Sequence, residues 1–320
     1  MIKRVAAVDC GTNSLRLLIA DVDADRHTLT DVERRMEIVR LGQGVDATGM
    51  LAPEALDRTL RVLADYAKQI DSAEARAVRM VATSATRDAA NAADFTAGVR
   101  RTLGITPEVI SGDEEARLSF AGATAELGGD GDPNQPAPPY LVVDIGGGST
   151  EFVLGGNGLV AATDLAAISV DIGCVRLTER HLHSDPPAVT EVQAATADID
   201  RALAAIAAAI PVPDARTLVG LAGSVTTVTA IALGLAAYDP ARTHHARISA
   251  GSVHAVTGQL LGQTREQRAA IGSMHPGRVD IIGAGALILD RIVQRFGFAD
   301  VLTSEHDILD GIAWSLAAGG

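Results

Sequence analysis

The sequence predicts an α/β protein made of two duplicated domains, each with a doubly wound sheet. Three observations carry this prediction: apolar strands alternate with helical segments, a strand–turn–strand motif occurs twice, and a Gly- and Pro-rich stretch separates the copies. Aromatic residues form only 3% of the chain although 47% of it is hydrophobic. The core must therefore be built from Ala, Val, Leu and Ile, which is typical of buried strands in α/β proteins.

The first repeated motif is a short turn between two apolar strands. It begins at Arg4 as RVAAVDCGTNSLRLLIADV and returns at Tyr140 as YLVVDIGGGSTEFVLGG. At one constant offset, the corresponding pairs are Asp9 and Asp144, Gly11 and Gly146, Ser14 and Ser149, and Arg16 and Glu151. A second pair of segments, MVATSATRDA and GLAGSVTTVTA, follows in the same order. Two motifs repeated in the same order indicate a duplicated domain.

The boundary between the copies lies in GGDGDPNQPAPP, which is rich in Gly and Pro and lacks periodicity. We therefore expect a first domain over 1–127, a linker over 128–139 and a second domain over 140–304. Helical spacing of apolar residues predicts helices over 53–70, 91–103 and 189–210. A last helix within 305–318 is expected to complete the first domain.

Charge and composition exclude several classes of function. The 27 Lys and Arg residues against 40 Asp and Glu residues give a net charge of −13, which argues against a protein that coats a nucleic acid polymer. Cys10 and Cys174 lie in apolar segments and imply neither a disulfide framework nor a zinc cluster. No apolar run approaches the ~20 residues of a membrane span, and no signal peptide is evident. We expect a cytoplasmic protein without membrane contact.

The repeated turns have the chemistry of phosphate-binding loops. Successive backbone N–H groups of a Gly-rich turn converge on one point, and glycine lets an anionic oxygen approach closely. The candidate phosphate-binding residues are Gly11, Thr12, Asn13 and Ser14 in the first turn, Gly146, Gly147, Gly148 and Ser149 in the second, and Ser224 in the later motif. Asp9 and Asp144 end the strands before these turns, where a carboxylate could hold a divalent cation. One such turn is equally typical of a tight hairpin, but two at one offset favour binding.

The segment EVISGDEEARLSF supplies a candidate base. Adjacent carboxylates at a helix start, here Glu114 and Glu115, are commonly solvated caps. Beside phosphate loops, such a carboxylate could instead orient and deprotonate a water for in-line attack. Arg87 could neutralise charge on the transferred group, or form a surface ion pair.

Together, VDCGTNSLRLLIAD, VATSATRDA, SGDEEARLSF, VVDIGGGSTEFVLG and GLAGSVTT resemble the exopolyphosphatase and guanosine pentaphosphatase family over essentially the whole chain. The fold implied is the actin, sugar-kinase and heat-shock ATPase type, with a cleft between two domains. RLGQGVDATG, MHPGRVD and SEHDILDGIA are more narrowly similar to short actinobacterial members, in the second of two paralogous groups. The resemblance implies a metal-dependent hydrolase that removes terminal phosphate from inorganic polyphosphate or guanosine pentaphosphate.

The resemblance also assigns roles to residues. Glu115 matches the family's water-positioning glutamate, with Glu114 as the fallback. Asp144 and Glu151 match acidic metal-site and catalytic positions, with Asp9 beside them. Mg²⁺ is the implied ion, Mn²⁺ is the alternative, and a homodimer is the implied assembly.

Arg87 matches a family arginine in the SATRDA-like segment.

Longer family members continue into an all-helical second half that is associated with binding of long polymers, whereas this sequence ends at Gly320. The resemblance therefore favours short polyphosphate chains or a nucleotide.

Two other functions remain open from the sequence. A sugar kinase or ATPase of the same superfamily would use similar loops but would not need the SGDEEA carboxylate. A non-catalytic sensor of guanosine penta- or tetraphosphate would bind without turnover. The histidines His244 and His245 are interpreted as a surface loop rather than metal ligands, and Glu305–Asp307 as a cap of the last helix.

Overall fold

A computed structural model describes residues 2–127, 135–156 and 165–318. The chain divides into two units, the first formed by Met1–Gly122 with Ile308–Gly320 and the second by Ala123–Asp307. The boundaries expected at 127 and 140 remain predictions, because part of the expected linker, 128–134, lies outside the described residues. Cys10 and Cys174 are free thiols, and burial raises the pKa of both.

Unit 1 contains a mixed sheet with the strand order β3-β2-β1-β4-β5. Its strands are β1 (Ile2–Cys10), β2 (Ser14–Asp23), β3 (Thr28–Ile38), β4 (Ala77–Ala82) and β5 (Glu108–Val109). Its helices are α1 (Val45–Thr48), α2 (Pro53–Ser72), α3 (Ser84–Asp88), α4 (Ala92–Leu103), α5 (Gly112–Thr124) and the terminal helix (Ile308–Ala318). The pairs β3–β2 and β2–β1 are antiparallel, whereas β1–β4 and β4–β5 are parallel.

Strand β1 explains why unit 1 has helices on both faces of its sheet. Successive side chains of a strand point to opposite faces. Ala6 and Val8 join the core cluster that contains Leu63 of α2, while Val5 packs in the cluster of the terminal helix with Ile312. The continuous apolar run in β1 is therefore the signature of a strand that is buried on both faces.

Unit 2 contains a sheet with the order β10-β11-β9-β6-β7-β8. Its strands are β6 (Tyr140–Ile145), β7 (Thr150–Gly155), β8 (Ala166–Val170), β9 (Thr217–Leu221), β10 (Arg247–Ser249) and β11 (Asp300–Thr303). Its helices are α6 (Cys174–His181), α7 (Val189–Ala209), α8 (Ala222–Ala232), α9 (Pro240–Thr243), α10 (Ala250–Gly262), α11 (Arg265–Ala269) and α12 (Ile282–Phe296), so the terminal helix of unit 1 is α13. None of the described helices combines the length and apolar character that crossing a bilayer requires.

The two sheets repeat one pattern of directions. In unit 2, β8–β7 and β7–β6 are antiparallel and β6–β9 and β9–β11 are parallel, as in the series β3, β2, β1, β4 and β5. Strand β10 is an additional antiparallel edge strand. The predicted α/β class and the predicted duplication are confirmed. The helices expected over 53–70, 91–103 and 189–210 correspond to α2, α4 and α7.

Helix α13 packs closely on α5 through a glycine, and this contact can be tested. A Cβ atom at Gly311 would lie 2.0 Å from the Leu118 carbonyl oxygen. We expect Gly311→Ala to lower the free energy of unfolding by roughly 1–3 kcal/mol, because the two helices must move apart. Denaturant unfolding followed by circular dichroism measures this change.

Gly258 in α10 provides the matched control. Gly258 is exposed and a Cβ there would meet no atom within 4 Å, so Gly258→Ala should stabilise the protein by about 0.5–1 kcal/mol through helix propensity. Equal effects of the two substitutions would contradict the close packing of α13 on α5.

Candidate active site

Two buried carboxylates stand side by side in unit 2. Asp144 near the end of β6 and Glu151 near the start of β7 are directly opposite one another in the antiparallel ladder, so their Cβ atoms lie about 4.5–5.5 Å apart on one face. Asp144 is 7% exposed and Glu151 is 1% exposed. On β8, Ser169 is opposite Glu151 and its hydroxyl donates to Glu151 Oε1 at 2.8 Å. Strand register thus places Asp144, Glu151 and Ser169 in one row.

The turn between these strands has its carbonyl groups bound by helix α6. The carbonyl oxygen of Gly146 accepts the Cys174 N–H at 2.9 Å, and that of Gly147 accepts the Val175 N–H at 2.9 Å. A Cβ at Gly173 would lie 2.3 Å from the Gly147 carbonyl oxygen, so only glycine permits this approach. The first turn of α6 therefore fixes the direction of the peptide groups in the loop.

The N–H groups of the same loop remain as donors. The Gly146 N–H closes the turn by donating to the Ser149 carbonyl oxygen at 3.0 Å. Within the described residues, the N–H groups of Gly147, Gly148 and Ser149 donate to no protein oxygen. Consecutive unused N–H groups in a glycine turn are the arrangement that binds an anion.

The strand-to-helix turn after β9 contacts Arg278, a residue that the sequence analysis did not identify as functional. Ala222 has a φ of 64°, a left-handed conformation that a residue other than glycine adopts at some cost. Buried Ser224 follows in the first turn of α8. The guanidinium of Arg278 lies against Gly223, where a Cβ would be 2.4 Å away, and its Nη1 donates to Thr227 Oγ1 at 3.2 Å. The positively charged guanidinium of Arg278 is therefore held beside the loop that contains Ser224.

The corresponding carboxylate of unit 1 has a different partner. Asp9 on β1 is opposite Arg16 on β2, and the Arg16 Nε and Nη2 atoms donate to Asp9 Oδ2 at 3.0 and 2.7 Å. The two side chains are only 4% and 19% exposed. Because Arg16 occupies the position of Glu151, the first copy is an ion pair where the second has two carboxylates. This contact favours Asp144 and Glu151 over Asp9 as ligands of a cation.

The first turn repeats the backbone geometry of the second. The Gly11 N–H donates to the Ser14 carbonyl oxygen at 3.0 Å, as Gly146 does to Ser149. Thr12 Oγ1 and Ser84 Oγ are 2.9 Å apart and buried, which ties this turn to the start of α3. The Asn13 carbonyl oxygen accepts two N–H groups from the segment after β3. The side chains of Asn13 and Ser14 are half-buried.

Helix α5 distinguishes the two adjacent glutamates. Glu115 is 9% exposed, and Arg87 Nη1 donates both to Glu115 Oε2 at 3.3 Å and to the Ile110 carbonyl oxygen at 2.9 Å. Glu114 is half-exposed and pairs with Arg79, whose Nη2 lies 3.2 Å from Glu114 Oε1. The sheltered, fixed carboxylate is that of Glu115, which favours Glu115 over Glu114 as the base.

The model of the Ppx/GppA phosphatase family matches residues 18–318. The chain belongs to this family. Exopolyphosphatase 2 of Mycobacterium tuberculosis is 51% identical to the chain, with 98% of both sequences covered. A family match over nearly the whole chain makes the protein a phosphatase and confirms the resemblance on which the sequence interpretation rests.

Solved structures of Ppx/GppA proteins share the fold. An exopolyphosphatase-like protein is 41% identical with a TM-score of 0.92, covering 98% of this chain and 99% of that one. The Aquifex aeolicus Ppx/GppA enzyme is 31% identical with a TM-score of 0.80, covering 98% of this chain and all of the other. The predicted α/β architecture is thus shared across this phosphatase family.

The sequence analysis of this Ppx/GppA phosphatase did not predict three residues that the structure places at the candidate site. Ser169 and Gly173 lie in the segment that contains DIGCVRLTE, and no glycine loop or acidic pair marks it as functional. Arg278 lies in MHPGRVD, which the sequence analysis used only for a family resemblance, and Pro276–Arg278 forms a 3-10 turn.

The buried Asp9–Arg16 pair can be tested by stability. Arg16→Met leaves the Asp9 carboxylate buried without its guanidinium, so we expect the free energy of unfolding to fall by roughly 3–5 kcal/mol. The double variant Asp9→Asn with Arg16→Met should recover part of that loss, because no unpaired charge remains. Denaturant titration provides the measurement.

Arg4 and Asp21 form the matched control on the same two strands. They too face each other across β1 and β2 and share two hydrogen bonds of 2.8 Å, but their side chains are 41% and 31% exposed. Arg4→Met should therefore change stability far less than Arg16→Met. A similar loss from both variants would show that burial does not govern the Asp9–Arg16 pair.

Proposed function

We propose that the protein hydrolyses the terminal phosphate of inorganic polyphosphate, preferring short chains, with a divalent cation as cofactor. The observation that carries this proposal is the glycine loop of unit 2, whose N–H donors follow buried Asp144 and precede buried Glu151 along the chain. The name of the Mycobacterium tuberculosis relative supports polyphosphate as the substrate. The preference for short chains, a cytoplasmic location and a homodimer are further expectations that rest on the family resemblance.

Phosphate binding falls to the backbone of the loop. The N–H groups of Gly147, Gly148 and Ser149 are proposed to donate to the oxygens of a phosphoryl group. The Gly11–Ser14 turn has the same hairpin bond and is assigned to a second phosphate group. Arg278 adds a positive charge at the Ser224 loop, where phosphate oxygens would be stabilised.

Asp144 and Glu151 fit a hard cation. Both are carboxylates, both are buried, and strand register places them on one face, which suits the oxygen ligands that Mg²⁺ or Mn²⁺ takes. When bound, the cation would neutralise charge on the phosphoryl oxygens. Ser169 fixes the Glu151 carboxylate for this task through its hydrogen bond.

Glu115 is assigned the role of general base. Its carboxylate would take a proton from the attacking water, while the water oxygen bonds to the terminal phosphorus and the bond to the bridging oxygen breaks. Arg87 holds Glu115 Oε2 and is anchored by the Ile110 carbonyl oxygen, so it acts as a positioning residue for the base. Charge neutralisation at the phosphoryl group is the second role proposed for Arg87, from the chemistry of its guanidinium.

The assignment of Glu115 as the base is tested with the variant Glu115→Gln. The measurement is the rate of phosphate release from short polyphosphate in the presence of Mg²⁺. We expect kcat to fall about 10²–10⁴-fold while substrate binding persists, because the amide cannot accept the proton of water. Glu114→Gln is the matched control and should keep near-normal kcat, since Glu114 pairs with Arg79 at the surface.

The same assay, repeated with guanosine pentaphosphate, identifies the preferred substrate. Faster release from guanosine pentaphosphate than from polyphosphate would assign the second activity that the resemblance implies. Binding without release from either substrate, unchanged in Glu115→Gln, would instead support a nucleotide sensor. Loss of activity in Glu114→Gln but not in Glu115→Gln would overturn the assignment of the base.

The cation site is tested by Ser169→Ala. Loss of the hydroxyl removes a hydrogen bond that orients the Glu151 carboxylate, so the Mg²⁺ concentration for half-maximal activity should rise roughly 10–100-fold. Ser72→Ala, which removes an exposed hydroxyl bound only to its own helix, should leave the Mg²⁺ dependence unchanged. A lowered kcat with an unaltered Mg²⁺ dependence would argue against Glu151 as a ligand.

A further inference from the structure

We propose a second metal site, for a transition metal of the Zn²⁺ class, formed in unit 2 by Glu126, His244 and His306. One ligating atom from each of these residues lies within 4.8 Å of the others. Two imidazoles and one carboxylate are a donor set that Zn²⁺ takes, with a water as the fourth ligand. The all-carboxylate pair Asp144 and Glu151 is a harder donor set, so the two sites select different ions.

Two of the three distances between ligating atoms match those around a tetrahedral ion, and the third is within 4.8 Å. Glu126 Oε2 lies 3.2 Å from His244 Nε2 and 3.4 Å from His306 Nδ1. Metal–ligand bonds of about 2.0–2.2 Å at tetrahedral angles separate neighbouring ligand atoms by about 3.3–3.5 Å. The side chains of Glu126, His244 and His306 are 51%, 22% and 27% exposed. Solvent can therefore deliver an ion and supply the fourth ligand.

The two histidines are held side by side before any ion binds. Thr243 and Glu305 directly precede them, and the Thr243 hydroxyl donates to Glu305 Oε1. Tyr238 donates to the same oxygen at 2.6 Å. A backbone hydrogen bond of 2.7 Å from the His245 N–H to the Thr303 carbonyl oxygen joins the same segments. This bracing lowers the entropy cost of assembling the site.

The proton arrangement gives the site a distinct signature. The Glu305 N–H donates to His244 Nδ1 at 3.1 Å, so the neutral ring carries its proton on Nε2, towards Glu126. Hydrogen bonds from His244 and then His306 hold the pKa of Glu126 well below its usual range, which keeps the carboxylate ionised. For Nε2 to bind an ion, its proton must move to Nδ1, and the Glu305 N–H must lose this acceptor. Zinc coordination outweighs one hydrogen bond by a wide margin.

His245 does not belong to the cluster of ligating atoms formed by Glu126, His244 and His306. Its ring stacks on that of His244 with 3.8 Å between centroids. Glu126 follows soon after Gly122, where the chain enters unit 2, and His306 lies just before Ile308, where the chain leaves it. A bound ion would therefore cross-link the two chain segments at the ends of unit 2.

The test is calorimetric titration of the EDTA-treated, desalted full chain with Zn²⁺. We expect one tight site per chain, and His306→Gln should weaken binding at least 100-fold. His254→Gln, which removes an exposed histidine outside the cluster, should bind like the unaltered chain. Asp144→Asn should also keep the tight site. This result does not depend on phosphatase activity, so it can fail while the proposed function holds.

Two further readouts locate the ion. Co²⁺ should give the visible absorption of tetrahedral nitrogen and oxygen ligation, and Glu126→Gln, at an exposed position, should abolish it without unfolding the chain. Hydrogen exchange of the Glu305 amide should accelerate when Zn²⁺ binds, since its acceptor is withdrawn. Equal Zn²⁺ affinity in the unaltered chain, His306→Gln and Glu126→Gln would overturn the proposal, as would slower exchange at Glu305.

Discussion

The hairpin turn bond between the first and fourth residues of each loop is the constraint on which the candidate site depends. Gly146 donates to Ser149 and Gly11 donates to Ser14, both at 3.0 Å. Because this bond closes the turn in a fixed register, the residue before the last of the first strand is placed opposite the residue two positions after the turn's final serine. Side-chain placement at the strand ends therefore follows from backbone geometry, and the residue types at these positions decide the chemistry.

Duplication followed by divergence explains how one scaffold serves two electrostatic roles. In unit 1 the opposed residues are Asp9 and Arg16, which neutralise each other at short distance in a buried place. In unit 2 they are Asp144 and Glu151, two buried carboxylates on one face, and like charges at this separation oppose ionisation of both groups. A single change of residue type at one ladder position thus separates an ion pair from a pair of carboxylates.

The sequence predicted the duplicated α/β fold because a repeat at a constant offset and apolar periodicity are local signals. It could not separate Glu114 from Glu115, because their different surroundings depend on how α5 packs, which places Arg87 on one and Arg79 on the other. It missed Arg278, since a lone arginine after a Pro-Gly turn has no local signature.

The Glu126, His244 and His306 cluster was also beyond the sequence. Its members are far apart along the chain, and each alone is more typical of a surface residue. The interpretation of His306 as part of a helix cap followed from its position just before α13. Hydrogen bonds that arise in the folded unit, such as that of Thr243 to Glu305, bring the imidazoles together.

A protein with a net charge of −13 can still bind a polyanion because charge acts locally. Charges on a solvated surface are screened over about 8–10 Å at physiological salt. In the loop of unit 2, carbonyl groups accept N–H groups from α6, and this fixes the direction of the N–H donors at the other end of the same peptide groups. Arg278 stands at the neighbouring turn, and a cation held by Asp144 and Glu151 would reverse the sign of the field there. Net charge therefore reports on the outer surface, and affinity for phosphate is set by a few fixed dipoles and ions within a few ångströms of the ligand.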